Sequence, residues 1–126
     1  MGLMARHWWV ESDEAWAADS TGQTWHGKLL GSRVLSVAAL PGTDDCVAVV
    51  DWTDWPPGVE AWHPFANLVR ASPTGDVVWA ADPPEDDLKG WTSVAIHEGT
   101  VVANAWSHRC VVDPDTGRIL DTEYTK

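Results

Sequence analysis

Three stretches of this chain share one pattern of turn: Asp19-Ser-Thr-Gly22-Gln-Thr-Trp25, Ser72-Pro-Thr-Gly75-Asp-Val-Val-Trp79 and Asp113-Pro-Asp-Thr-Gly117-Arg-Ile-Leu120. In each, an Asp or Ser accepts hydrogen bonds from the turn backbone, and the glycine supplies the left-handed residue before a returning strand. A large apolar residue follows three or four positions after each glycine. The glycines stand 53 and 42 residues apart, so the chain reads as a repeated strand–turn–strand unit.

Between these turns, short β-branched and aromatic runs alternate with Gly, Pro and Asp. The i, i+3, i+4 spacing of an amphipathic helix never lasts beyond a few residues. Strands are expected over 33–40, 46–52, 67–71, 77–81, 92–97, 100–106, 109–113 and 118–120, with an early hairpin around 14–18 and 23–29. A two-residue Glu98-Gly99 turn joins two of them, making the last 60 residues an antiparallel meander. The fold class is therefore all-β, and 126 residues suit a single β domain over 1–126.

The chain carries 19 acidic and 8 basic residues, a net charge of −11 spread over both halves. Such a surface repels phosphate, which excludes nucleic acid and anionic membrane as expected partners. No apolar run reaches the length of a membrane span, and the first residues carry no signal-peptide pattern, so a cytoplasmic location is expected. Cys46 and Cys110 sit in apolar strand-like settings and are expected buried and reduced.

At the turns the chain resembles the repeats of PQQ-type β-propeller proteins, whose pattern is roughly Ala-x-Asp-x-x-Thr-Gly-x-x-Trp. Asp113-Pro-Asp-Thr-Gly117 keeps the Asp-to-Gly spacing with Leu120 at the Trp position, Gly22 and Trp25 keep the Gly-to-Trp spacing, and the middle copy has Ser72 for Asp and Trp79 one residue late. Mainly over 67–126, from Asn67-Leu-Val-Arg through Val102-Ala-Asn-Ala-Trp106 to Tyr124-Thr-Lys126, the chain also resembles a class of small uncharacterised bacterial proteins. The resemblance implies an incomplete propeller-like or two-sheet sandwich assembly, because three repeats are fewer than a closed propeller needs. It also implies a binding or immunity-type role.

Catalytic chemistry is not indicated. His7, His26, His63, His97 and His108 have no paired metal-ligand spacing, Ser93 and Ser107 have no nucleophile elbow, and the segment after Asp113 departs from a calcium loop at Arg118 and Tyr124. No metal and no cofactor is expected. Asp51, Asp54 and His63 form the best constellation an enzyme could use, although nineteen acids produce chance pairs.

The segment of about 52–64 stands out as a Trp- and Pro-rich loop. In it Trp52, Asp54, Trp55, Glu60 and Trp62 are the candidate partner-binding residues, since stiff aromatic loops lose little entropy on binding. The bland alternative is a loop whose tryptophans plug the core. Adjacent Trp8 and Trp9 must point to opposite faces of any strand they share. The expected function is a non-enzymatic acidic protein-binding domain, an immunity or inhibitor protein neutralising a basic partner. Alternatives are a carbohydrate or small-ligand module using exposed tryptophan, and a structural self-associating repeat domain.

Overall fold

The computed structural model describes residues 7–51, 53, 55, 57–58, 65–84 and 90–125. Among these there is no helix, and eleven strands form three antiparallel sheets. The first unit holds β1 (His7–Glu11), β2 (Glu14–Asp19) and β3 (Gly22–Gly27). The second holds β4 (Val34–Ala39), β5 (Cys46–Val50), β6 (Leu68–Ala71) and β7 (Val77–Ala81). The third holds β8 (Trp91–His97), β9 (Thr100–Ala105), β10 (His108–Val112) and β11 (Ile119–Tyr124). Each unit is a meander whose strands pair in chain order.

The repeated turns close the last two strands of each unit by one mechanism. The side chains of Asp19, Ser72 and Asp113 accept the amides of Thr21, Thr74 and Asp115, two residues on, while Gly22, Gly75 and Gly117 take φ of 121°, 85° and 79°. After each turn the ladder carries a bulge at the same place, between Ala17 and Ala18, Arg70 and Ala71, and Val111 and Val112. A second repeated bulge marks the innermost pairs, at Val34/Ser36 in β4 and Trp91/Ser93 in β8. The expected Glu98-Gly99 turn has both residues at positive φ, as a tight I′-like hairpin needs.

The units pack face to face in series around two cores. Between the first and second lie Ala15, Leu29, Val34, Cys46, Ala48, Val50, Phe65, Val69 and Ala71, with Trp8 and Trp25 against them. Between the second and third lie Val47, Val49, Leu68, Trp91, Val94, Val101, Ala103, Cys110 and Val112. β5 reads Cys-Val-Ala-Val-Val and is buried on both faces because it sits between both cores. The two free thiols thus belong to different cores, and burial pushes Cys46 up to about 12, which keeps it protonated.

Two elements depart from the sequence expectation. β1 was not expected as a strand, because its return to β2 uses Ser12-Asp13 at positive φ in place of a glycine turn. β11 runs to Tyr124 rather than stopping at Leu120: Asp-Thr-Glu-Tyr has no apolar alternation to signal a strand, yet Asp121 to Tyr124 each pair with β10, as a polar edge strand. The expected strand end at Trp52 lies outside the described residues.

Candidate functional site

The equivalence of the three units can be read from register. Ala17, Arg70 and Val111, each two residues before its turn, pair with Trp25, Trp79 and Asp121. Two of these three positions form the joints between units. The Trp25 ring lies on Gly75, where an added Cβ would overlap it, and the Trp79 ring lies on Gly117, where an added Cβ would come within 2.6 Å of the ring. The Trp79 indole also donates to the Pro114 carbonyl at 2.8 Å, which Arg70 bonds at 2.9 Å while its Nε holds Asp45.

In the third unit the docking position holds Asp121, not Leu120. The third turn is one residue longer than the others and the bulge passes over Leu120, leaving it 63% exposed as Val78 is exposed in the second unit. This corrects the sequence alignment, which counted from glycine and could not see the bulge. The outer face of the third unit consequently carries a carboxylate where its predecessors carry an indole. A shallow hollow of about 300 Å3 opens there, floored by Val102 and Val111 and edged by Glu98, Arg109, Asp121 and Glu123.

The outer face of the first unit is different again. Trp9, Trp16 and His26 lie side by side across its three strands. Trp9 and Trp16 are 6.1 Å apart, Trp16 and His26 4.2 Å apart and nearly parallel, and Glu14 sits 3.0 Å from the His26 Nδ1. The same positions hold Ala48, Val69 and Ala80 in the second unit and Ala103, Cys110 and Thr122 in the third. Small residues there let the preceding unit approach; the first unit fills that space with rings. Trp8 points the other way, to Trp25 at 6.3 Å, and donates to the Asp44 carbonyl at 3.2 Å, so the two adjacent tryptophans serve opposite faces.

Of the loop residues singled out from sequence, Trp52, Asp54, Glu60 and Trp62 lie outside the described residues. Trp55 is half-buried and meets the buried Phe65 edge-on at 5.1 Å, in the core between the first and second units. Asp51 is 7% exposed and spoken for: it ion-pairs with Arg33 and accepts the Thr53 amide and hydroxyl at 2.9 and 2.7 Å. Burial alone would raise its pKa, but Thr53 and Arg33 together hold it below the usual carboxylate value. Asp54 and His63, the other members of that constellation, lie outside the described residues. Among the described residues no three His, Cys, Asp or Glu side chains cluster as metal ligands would.

Sequence reasoning passed over the Trp9–Trp16–His26 ladder and Asp121. The ladder was legible as alternation in His7-Trp-Trp-Val-Glu11 and Glu14-Ala-Trp-Ala-Ala18 once β1 is accepted as a strand. Asp121 was not legible without the bulge.

No family model matches the sequence, and no curated protein matches it. Among solved structures, BamB from Moraxella catarrhalis, a β-propeller of the WD40/PQQ-like kind, is similar in fold at 12% identity with a TM-score of 0.58. The match covers 99% of this chain and 38% of that one, so this chain spans well under half the length of that neighbour. The three units described are therefore propeller-like blades stacked in series.

Proposed function

We propose that this chain is a non-enzymatic, acidic protein-binding domain that captures a basic protein, in the manner of an immunity protein or inhibitor. The observation that supports it is the outer face of the third blade, where Asp121 replaces the docking tryptophan and stands with Glu98 and Glu123 around an apolar floor of Val102 and Val111. A cationic side chain reaching that hollow would lay its aliphatic stem on the valines and its charge among the carboxylates. With a net charge of −11, the field of the whole domain steers a cation toward it. The resemblance to small bacterial proteins with PQQ-type repeats agrees with a binding role. The loop at 52–64 supplies a second set of anchors in Trp52, Asp54, Glu60 and Trp62, whereas Trp55 is committed to the core.

The carbohydrate alternative is less well supported, because Trp16 and His26 turn their ring faces to each other. The test is affinity capture of basic proteins on the full chain at low and high salt, followed by association kinetics for what is captured. The expected result is an association rate that falls steeply with salt and drops about tenfold or more in the double variant Asp121→Lys with Glu123→Lys. Binding indifferent to salt and to that double reversal would overturn the proposal.

A further inference from the structure

Among the described residues the three blades are not equal in strand number. There the second and third have four strands and begin with an innermost one, β4 or β8, while the first has three. Register shows which is missing. Trp9 of β1 pairs with Trp16, as Ala48 of β5 pairs with Val69 and Ala103 of β9 with Cys110, so β1 is equivalent to the second strands β5 and β9. Among the described residues β1 pairs on one side only, with β2, and the edge that β5 and β9 give to β4 and β8 is open. A hydrogen-bonding edge without a partner is the template on which an extended peptide adds as a strand.

The two innermost strands show what fits that place. Both carry Ser-Val-Ala after a bulge, as Ser36-Val37-Ala38 and Ser93-Val94-Ala95, and in each the valine pairs with the equivalent alanine, Ala48 or Ala103. The serine joins neighbouring blades: Ser36 Oγ donates to the Val94 carbonyl at 3.2 Å and accepts the Val94 amide at 3.3 Å. Val37 is the equivalent of Val94 one blade earlier. Among the described residues no side chain bonds its backbone in this way. The missing strand would lie between the edge of β1 and the flank of β4, with its serine on Val37 and the residue after that serine opposite Trp9.

We infer that the first blade is a strand acceptor: its inner edge takes an extended, uncharged segment of a partner polypeptide, of the form apolar-x-Ser-apolar-Ala, as its fourth strand. This goes beyond the capture of a basic protein, since it uses the opposite end of the blade series, backbone hydrogen bonds and an apolar ligand. Its affinity depends little on salt, which separates the two.

The test uses the intact chain and a synthetic peptide copying residues 34–40, made soluble by uncharged ethylene-glycol tails at both ends, read by amide hydrogen exchange. The expected result is a slowing of exchange in β1 by at least tenfold at saturating peptide. A peptide N-methylated at alternate residues should give no slowing, and one with Ser replaced by Ala should bind several-fold more weakly. Three outcomes would overturn the inference. One is β1 amides already slow without peptide, which would mean the chain covers its own edge. Another is slowing that grows with protein concentration alone, which would make the occupant a second copy. The third is protection on the outer strands β3, β7 or β11 in place of β1.

Discussion

At the scale of single residues, the joints between blades rest on glycines that have two reasons to be glycine. Gly117 sits at φ 79° with the Trp79 ring where a Cβ would go, whereas Gly99 at φ 78° has open space around it. Gly99→Ala should therefore cost only the backbone term, about 1 kcal/mol, while Gly117→Ala adds overpacking of about 1–3 kcal/mol more. Urea denaturation of the two variants measures the difference, and equal losses would mean the ring is not held on the turn. Asp51 carries the clearest pH signature. Its carboxyl pKa is lower folded than unfolded, so its contribution is present above the unfolded value near 4 and is lost as pH falls through the folded value. Asp51→Asn is expected to cost about 1–3 kcal/mol at pH 7, with the gap to the parent closing under acid conditions in pH-dependent unfolding curves.

At the scale of elements, the second and third blades are tied by a side chain that imitates a strand. Asn67 is fully buried; its amide nitrogen donates to the Val50 and Trp91 carbonyls at 3.0 and 2.8 Å, and its oxygen accepts the Trp91 amide at 2.9 Å. Removing it leaves several buried backbone groups unsatisfied at once. Asn67→Ala should lower stability by about 2–4 kcal/mol, more than a mere loss of packing at that volume, and Asn67→Asp should fail to rescue it. Thermal unfolding of the two variants checks both statements.

Most strands were legible from sequence because β-branched runs end in residues that turn: β4 to β10 fall within a residue or two of expectation. What escaped notice follows from the bulges and from glycine-free turning. Ser12-Asp13 turns β1 without the usual signal, and the skipped residue after the third turn moves Asp121 into the place that counting gave to Leu120. Asn67 stands in the sequence as a polar strand end, since nothing local distinguishes a buried bridging amide from one. The candidate loop was read from its clustered tryptophans and prolines, which name residues but not faces: Trp55 packs beside Phe65, Trp52 and Trp62 lie outside the described residues, and Trp9 and Trp16 share the outer face of the first blade.

At the scale of the whole molecule, nineteen acids against eight basic residues repel one another in the folded state, locally offset where Asp51 meets Arg33 and Asp45 meets Arg70. Screening should relieve that repulsion. Raising salt from about 20 to 500 mM is expected to raise Tm by about 3–5 °C. A fall in Tm, read by differential scanning calorimetry, would mean that the local pairs outweigh the general field.

The joint between the second and third blades is made of contacts that need no chain continuity: Trp79 on Gly117, Arg70 on Pro114, Asn67 on Trp91, Ser36 on Val94. The chain connection between the two blades raises the effective concentration of one side for the other. A polypeptide cut there and produced as two fragments is expected to reassemble through those contacts, and removing the Trp79 indole that bonds the Pro114 carbonyl is expected to weaken the reassembly.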